Sequence, residues 1–222
     1  MGTKQDIERM LKDIRAHTRY SQSTTGRGEL DPRVLDAVAR VPRDEFVPDH
    51  LKQLSYSDGP LPIGRGQTIS QPFIVALMTD LIDPEPGARV LEVGTGCGYQ
   101  SAVLAELVER VYSIEIIPEL SRRAGVLLER LGYRNVQPRV GDGYHGWPEQ
   151  APFDGILVTA AAQEIPPPLV EQLAAGGRMV LPVGGPMFGQ SLILVEKDPS
   201  GKVRRRNVLP VAFVPLTGDH RR

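Results

Sequence analysis

The run VLEVGTGCGYQ, Val90–Gln100, puts an acid, Glu92, near the end of an apolar stretch and follows it with glycines at Gly94, Gly96 and Gly98. Thr95 and Gln100 add a hydroxyl and an amide to the same short turn. Glycines so placed let a chain turn tightly and lie close to a ligand, and a helix is expected to begin near Gly98. A second apolar run, VYSIE, ends on Glu115, about 20 residues on, where an acid can accept both hydroxyls of a ribose. The chemistry is therefore recognition of a nucleoside. Pyrophosphate fits it poorly, because Glu92 would repel a phosphate brought close, and no Gly-Lys-Ser/Thr follows the glycines. A cofactor without phosphates that carries positive charge fits better. S-adenosylmethionine, with an ammonium and a sulfonium, meets both conditions.

The elements that must position these residues follow from the alternation around them. Strands are expected at Arg89–Val93, Val111–Glu115, Val136–Val140, Asp154–Thr159 and Arg178–Pro182, separated by helices through Leu107, over Pro118–Leu131 and over Pro168–Ala174. Strands spaced by helices of this length imply crossover units and a mainly parallel sheet covered on both faces. Two further strand-like runs, Ser191–Glu196 and Val203–Val214, flank the charged turn Lys197–Lys202 and predict an antiparallel pair at the sheet edge. Ligands of such sheets lie beyond the C-terminal strand ends, here Glu92–Gly98, Glu115, Asp142–Gly143 and Thr159–Ala162. On that reading Glu92 approaches the amino acid part of the cofactor and Glu115 holds its ribose. Asp142 accepts from the adenine amino group, although a helix cap explains that residue equally well.

Before the alternation begins, Ile7, Met10, Leu11 and Ile14 share helical spacing within Asp6–Arg15, and Ser21–Gly28 reads as a mobile surface loop. A short helix is expected after Asp31, with Pro32 in its first turn and Pro42 beyond its end. Phe46–Pro72 has no periodicity and is rich in proline and glycine, which favours a lid or binding loop over a disordered connection. A helix over Pro72–Leu81 then presents Ser70 and Gln71 at its entrance.

Several residues have a bland reading beside a functional one. Cys97 in the glycine turn is the lone cysteine, which excludes an intrachain disulfide and suits a reducing compartment. The four histidines, His17, His50, His145 and His220, stand at unrelated points, so a Cys-His nucleophile is unsupported. Phe153 reads as core, Trp147 as a lid over a pocket rim, and Arg204–Arg206 as a solvated guard on an edge strand. Net charge is −1 in 222 residues, so composition gives no reason to expect a nucleic-acid partner. No early apolar run resembles a signal peptide, no stretch approaches membrane length, no metal-ligand cluster stands out, and the expectation is a monomeric cytoplasmic protein.

Motifs well outside the glycine turn narrow the function. They are VPRDEFVP (Val41–Pro48), GQTISQP (Gly66–Pro72), FDGILVTAA (Phe153–Ala161), Gly176–Gly185 and FVPLTG (Phe213–Gly218). With them the chain resembles, over about Gly28–Gly218, the protein-L-isoaspartate (D-aspartate) O-methyltransferases, with GQTISQP the most diagnostic segment. The resemblance implies a Rossmann-like class I S-adenosylmethionine-dependent methyltransferase fold of the α/β class. It implies methyl transfer to isoaspartyl residues of damaged proteins and peptides, with S-adenosylhomocysteine as product. Ser70 would stand beside the accepting carboxylate, with Thr68, Ile69 and Gln71 shaping the pocket and Val214, within Val211–Leu216, contacting the peptide backbone. Glu92, Gly94, Thr95, Gly96, Gly98, Gln100, Glu115, Asp142, Gly143 and Thr159 would hold the cofactor, and no metal is expected. Within one catalytic domain, residues 1–86 would supply helices and the substrate loop, 87–185 the cofactor core, and 186–222 strands that complete the groove. The competing readings are a methyltransferase for another acceptor and a noncatalytic nucleoside-binding module.

Overall fold

The computed structural model describes residues 3–185 and 189–218; His220 lies outside them. Helix α1 spans Lys4–Tyr20, longer at both ends than the apolar spacing indicates. Thr3 and Asp6 form a capping box at its start, and Met10, Ile14 and Thr18 continue one buried face toward its end. Residues 21–28 correct the surface-loop expectation. They contain a helical turn, α2 (Gln22–Thr25), whose Thr25 is fully buried and gives its carbonyl to Arg206 Nη1 at 3.2 Å. Helix α3 (Pro32–Arg40) begins as expected, with the Asp31 carboxylate accepting from the Arg33 N–H.

Phe46–Pro72 folds into ordered pieces rather than a disordered connection. A 3-10 turn, Asp49–Leu54, leads to a small hairpin of β1 (Leu61–Gly64) and β2 (Gln67–Ile69), which delivers the chain to α4 (Pro72–Leu81). Helix α4 is buried along most of its length, so it anchors the residues just before it.

From there β3 (Arg89–Val93), α5 (Tyr99–Ala105), β4 (Arg110–Glu115), α6 (Pro118–Arg130), β5 (Val136–Val140), β6 (Phe153–Val158), α7 (Pro167–Gln172) and β7 (Leu173–Gly185) follow the expected alternation. Strands β8 (Gly189–Lys197) and β9 (Val203–Val211) then form the antiparallel pair. The sheet order is β5-β4-β3-β6-β7-β8-β9, parallel as far as β7 and antiparallel after it. This is the Rossmann-like class I arrangement expected from the motifs. The order reverses between β3 and β6, and a crevice opens beyond the C-terminal ends of those two strands.

Apolar clusters fill both faces, one against α1, α3, α4 and α5 and the other around Phe153, Leu169 and Leu173. Trp147 belongs to the second cluster. It is 8% exposed, meets Tyr112 edge to face and lies under the Arg139 guanidinium, so it is core rather than the lid anticipated from sequence. Strand β9 ends three residues short of the expected Val214 because the Gln190 side chain takes both backbone groups of Phe213, drawing residues 212–217 back over the sheet. There Ala161 donates to the Val214 carbonyl and Leu216 donates to the Ala161 carbonyl, each at 2.8 Å. Among the described residues no helix is long and apolar enough to cross a membrane, and no group of three or more His, Cys, Asp or Glu could hold a metal ion.

Candidate active site

Strand β3 delivers the glycine turn to the open end of the sheet, and neighbouring strands fix its shape. Gly94 N–H donates to the Ile114 carbonyl at 2.8 Å, while Thr159 Oγ1 donates to the Gly94 carbonyl at 2.7 Å. Gly94 has φ of 97°, and a Cβ there would collide with Thr159 Oγ1, so the position demands glycine on two grounds. Gly98, at φ 91°, starts α5 with Ala124 and Leu128 pressed close to it. It therefore packs the turn onto α6 and does not itself line the cavity described below.

Glu115 lies at the end of β4, and both its carboxylate oxygens face backbone donors. Oε2 accepts from Gly96 N–H at 2.8 Å and Oε1 from Ile117 N–H at 2.9 Å. Each oxygen keeps a second lone pair, so the carboxylate can shape the turn and still accept from a ligand. Glu92 sits elsewhere than at the cavity wall. It is fully buried beneath the turn, where Ser101 Oγ and Ser113 Oγ both donate to Oε2 and Oε1 has no hydrogen bond. Burial raises its carboxyl to about 7, although the two serines pull the other way. With the single Ser113 proton given to Glu92, Thr95 Oγ1 is the donor in the 2.6 Å bond to Ser113 Oγ. The glycine turn thus rests on a buried polar stack that runs from Thr95 to Glu92.

Asp142 caps the 3-10 turn Gly143–His145, with Oδ1 accepting from Tyr144 N–H, and its carboxylate packs so closely on Gly218 that a Cβ there would collide with it. It stands behind the lining residue Gly143. Cys97 is partly exposed, but its surroundings raise the thiol to about 11, chiefly by burial, which leaves it protonated near neutrality and a poor nucleophile.

A second wall comes from the hairpin and its exit. Thr68, Ile69, Ser70 and Gln71 line the same cavity, of about 920 Å³, that Gly94, Thr95, Gly96, Gln100, Glu115, Gly143 and Thr159 line from beneath, and Val214 closes it from the C-terminal segment. Glu92, Gly98 and Asp142 support that wall from outside it. Sequence reasoning missed another wall: His17, Tyr20, Ser21, Ser23 and Thr24 border the cavity from α1 and α2. His17 Nδ1 lies 2.6 Å from Asp58 Oδ2, and the same oxygen accepts from Gln71 Nε2 at 2.8 Å, so the N-terminal helix is tied to the loop that carries Ser70. No spacing in the sequence announces this contact; the one signal was that a long loop and an amphipathic helix preceded the core.

The geometry thus pairs a nucleoside-type cradle with a second, loop-built wall facing it. The family described as protein-L-isoaspartate(D-aspartate) O-methyltransferase matches residues 21–221. The chain belongs to this family. A relative from Syntrophobacter fumaroxidans, protein-L-isoaspartate O-methyltransferase 2, is 60% identical over 212 residues, spanning 96% of this chain and 86% of that protein. One from Polaromonas sp. with the same name is 59% identical over 210 residues, spanning 95% of this chain and 100% of its own. Among solved structures, a protein-L-isoaspartate O-methyltransferase superposes with a TM-score of 0.82 at 29% identity over 96% of this chain and 66% of that one. A putative protein-L-isoaspartate O-methyltransferase from Plasmodium falciparum, solved with S-adenosyl-L-homocysteine, shares the fold. Its TM-score is 0.77 at 24% identity, with 94% of this chain and 97% of that one covered. Within this isoaspartyl methyltransferase the GQTISQP segment, the glycine turn and the FVPLTG segment converge on one cavity.

Proposed function

We propose that the cavity is a methyl-transfer site whose lower wall holds the cofactor and whose upper walls hold the acceptor. The chain transfers a methyl group from S-adenosylmethionine to the free α-carboxylate of L-isoaspartyl residues in damaged proteins and peptides, which begins their repair through a succinimide; D-aspartyl residues are a second candidate acceptor. The cofactor, when bound, supplies the methyl as an electrophile on a sulfonium and departs as S-adenosylhomocysteine. The observation that carries this reading is the meeting of the glycine turn and the Ser70 loop at one cavity.

The lower wall suits the cofactor chemically. Glu115 has lone pairs to spare for a ribose diol, the backbone at Gly94 comes bare to the ligand, and no lysine or arginine lines the cavity among the described residues. Among the described residues Glu115 is the one carboxylate in that lining, so the wall favours a cation over a phosphate. Thr95, Gly96, Gln100, Gly143 and Thr159 complete the contacts, with Gly98, Glu92 and Asp142 shaping them from behind. Ser70 orients the acceptor carboxylate by hydrogen bonding, while Thr68, Ile69, Gln71 and Val214 bound the peptide. An aspartyl-type carboxylate, with a reference pKa of about 4, is ionised at neutral pH, so the site needs no strong general base. Its gains come from orientation and from excluding water.

Residues 1–86 and 186–222 supply the acceptor walls around the 87–185 cofactor core, in one catalytic unit that works as a monomer. A reducing cytoplasm suits its lone cysteine. The deciding experiment offers labelled S-adenosylmethionine and two peptides that differ only in an isoaspartyl or a normal aspartyl linkage. Label on the isoaspartyl peptide alone is expected; label on neither, with the cofactor still bound, would overturn the acceptor assignment.

A further inference from the structure

Arg43 opens the 3-10 turn Arg43–Phe46 and is completely buried. A guanidinium taken out of water is costly unless its donors are met, and an apolar side chain of similar volume commonly serves the core as well or better. What an apolar residue cannot supply is a rigid fork of directed N–H donors. Here that fork joins two loops at backbone carbonyls. Nε donates to the Ser55 carbonyl and Nη2 to the Ser70 carbonyl, both at 2.7 Å. The guanidinium also lies over the Tyr99 ring, 4.6 Å from its centroid, and Tyr99 is the first residue of α5, directly after the glycine turn. Asp58, which receives the Gln71 side chain and faces His17, attracts the same cation from farther away. One buried cation therefore touches the residue that carries the acceptor-side hydroxyl and the residue that follows the cofactor turn.

We propose that Arg43 is a positioning residue for methyl transfer, holding the Ser70 loop in register with the cofactor turn by gripping the Ser70 carbonyl while lying on Tyr99. This rests on the role given to Ser70 above. It touches neither substrate nor cofactor, and it acts through the height and direction at which Ser70 meets the acceptor.

The test compares the wild-type chain with Arg43→Lys and Arg43→Met, with turnover expressed per S-adenosylhomocysteine-binding site so that misfolded protein drops out. Lysine keeps a buried cation but cannot bridge two carbonyls and stack at once. For Arg43→Lys, kcat on the isoaspartyl peptide should fall at least tenfold while the cofactor Kd stays within threefold, and Arg43→Met should fall at least as far. Tyr99→Leu, which removes the stacking ring, should lower kcat in the same direction and provides a second arm if Arg43→Met does not fold; because Tyr99 also lines the cavity, Tyr99→Phe, which keeps the ring, is its control and should retain wild-type kcat. An active wild type with Arg43→Lys at unchanged kcat per binding site would reduce Arg43 to a core residue and overturn the proposal. A wild type that binds cofactor and methylates no peptide would instead overturn the reading of Ser70 on which the proposal rests.

Discussion

At Glu92 the carboxyl lies beneath the reactive cavity, and its burial gives it a different stability law from an exposed acid. Its proton is held up to about 7 in the folded chain, against an ordinary 4.5. Below pH of about 4.5 both folded and unfolded chains keep the proton and no difference arises. As pH rises from there the unfolded chain loses it first, so the group subtracts stability progressively until the loss levels off above about 7. Replacing Glu92 with glutamine removes this penalty. Each pH unit over which only the folded chain keeps the proton costs about 1.4 kcal/mol, so the stability of Glu92→Gln relative to wild type should increase by about 3 kcal/mol between pH of about 4.5 and about 8. Urea unfolding midpoints across that range measure it, and a difference independent of pH would contradict the buried-acid account. Ser70 obeys another logic, because the role proposed for it lies with its hydroxyl while its backbone carbonyl is already held by Arg43. Ser70→Ala should fold normally and lose about 1 to 3 kcal/mol of transition-state stabilisation, or roughly 5- to 150-fold in kcat/KM. Steady-state rates on the isoaspartyl peptide are the check, and wild-type turnover would remove Ser70 from its role.

Helix α1 is the element whose role the sequence concealed. Its apolar spacing was plain, yet His17, Tyr20 and the following turn border the cavity only because Met10 and Ile14 seat the helix in the core and Asp58 receives His17. His17→Ala should raise the peptide KM several-fold and leave cofactor affinity unchanged, a split visible when both substrates are varied independently. A shift in cofactor affinity with no change for peptide would assign this wall to the other half of the cavity. The β-α alternation could be read in advance because β3, β4 and β6 are short and largely buried and helices α5 and α6 carry apolar residues inward between the first strands, whereas β5, VQPRV, is mostly exposed. Residues 21–28 resisted because Thr25 is polar and is buried by contact with β9, nearly the whole chain away. The β1-β2 hairpin hid in a proline-rich stretch whose turn residue, Arg65, adopts φ of 54° without being glycine or asparagine. The glycine turn and Glu115 were legible because local strand ends fix them. Glu92 was recognised but misplaced, since nothing local tells whether an acid at a strand end points up into a cavity or down into the core.

Across the molecule, one carboxylate both ties the fold and faces the cavity, because Glu115 joins Gly96 to the segment starting α6 and lines the cavity proposed to hold the cofactor. S-adenosylhomocysteine at about 100 times its Kd should add about 2.7 kcal/mol to the wild-type unfolding free energy. Glu115→Ala should show little of that gain at the same concentration, and an equal rise in thermal midpoint for both proteins would exclude Glu115 from the ligand contacts. The cavity's two halves also have different ancestries in the chain. The glycine-turn wall comes mostly from residues 93–117, with Gly143 and Thr159 added, whereas the facing walls gather residues 17–24, 67–73 and 209–217. Contacts between neighbours form early, and those between distant segments wait for loop closure. The assembly should therefore have a chronology: during refolding from denaturant, the capacity to bind nucleoside returns first, and methyl transfer resumes only when residues 209–217 have docked on Ala161 and residues 17–24 and 67–73 have closed the cavity beside them.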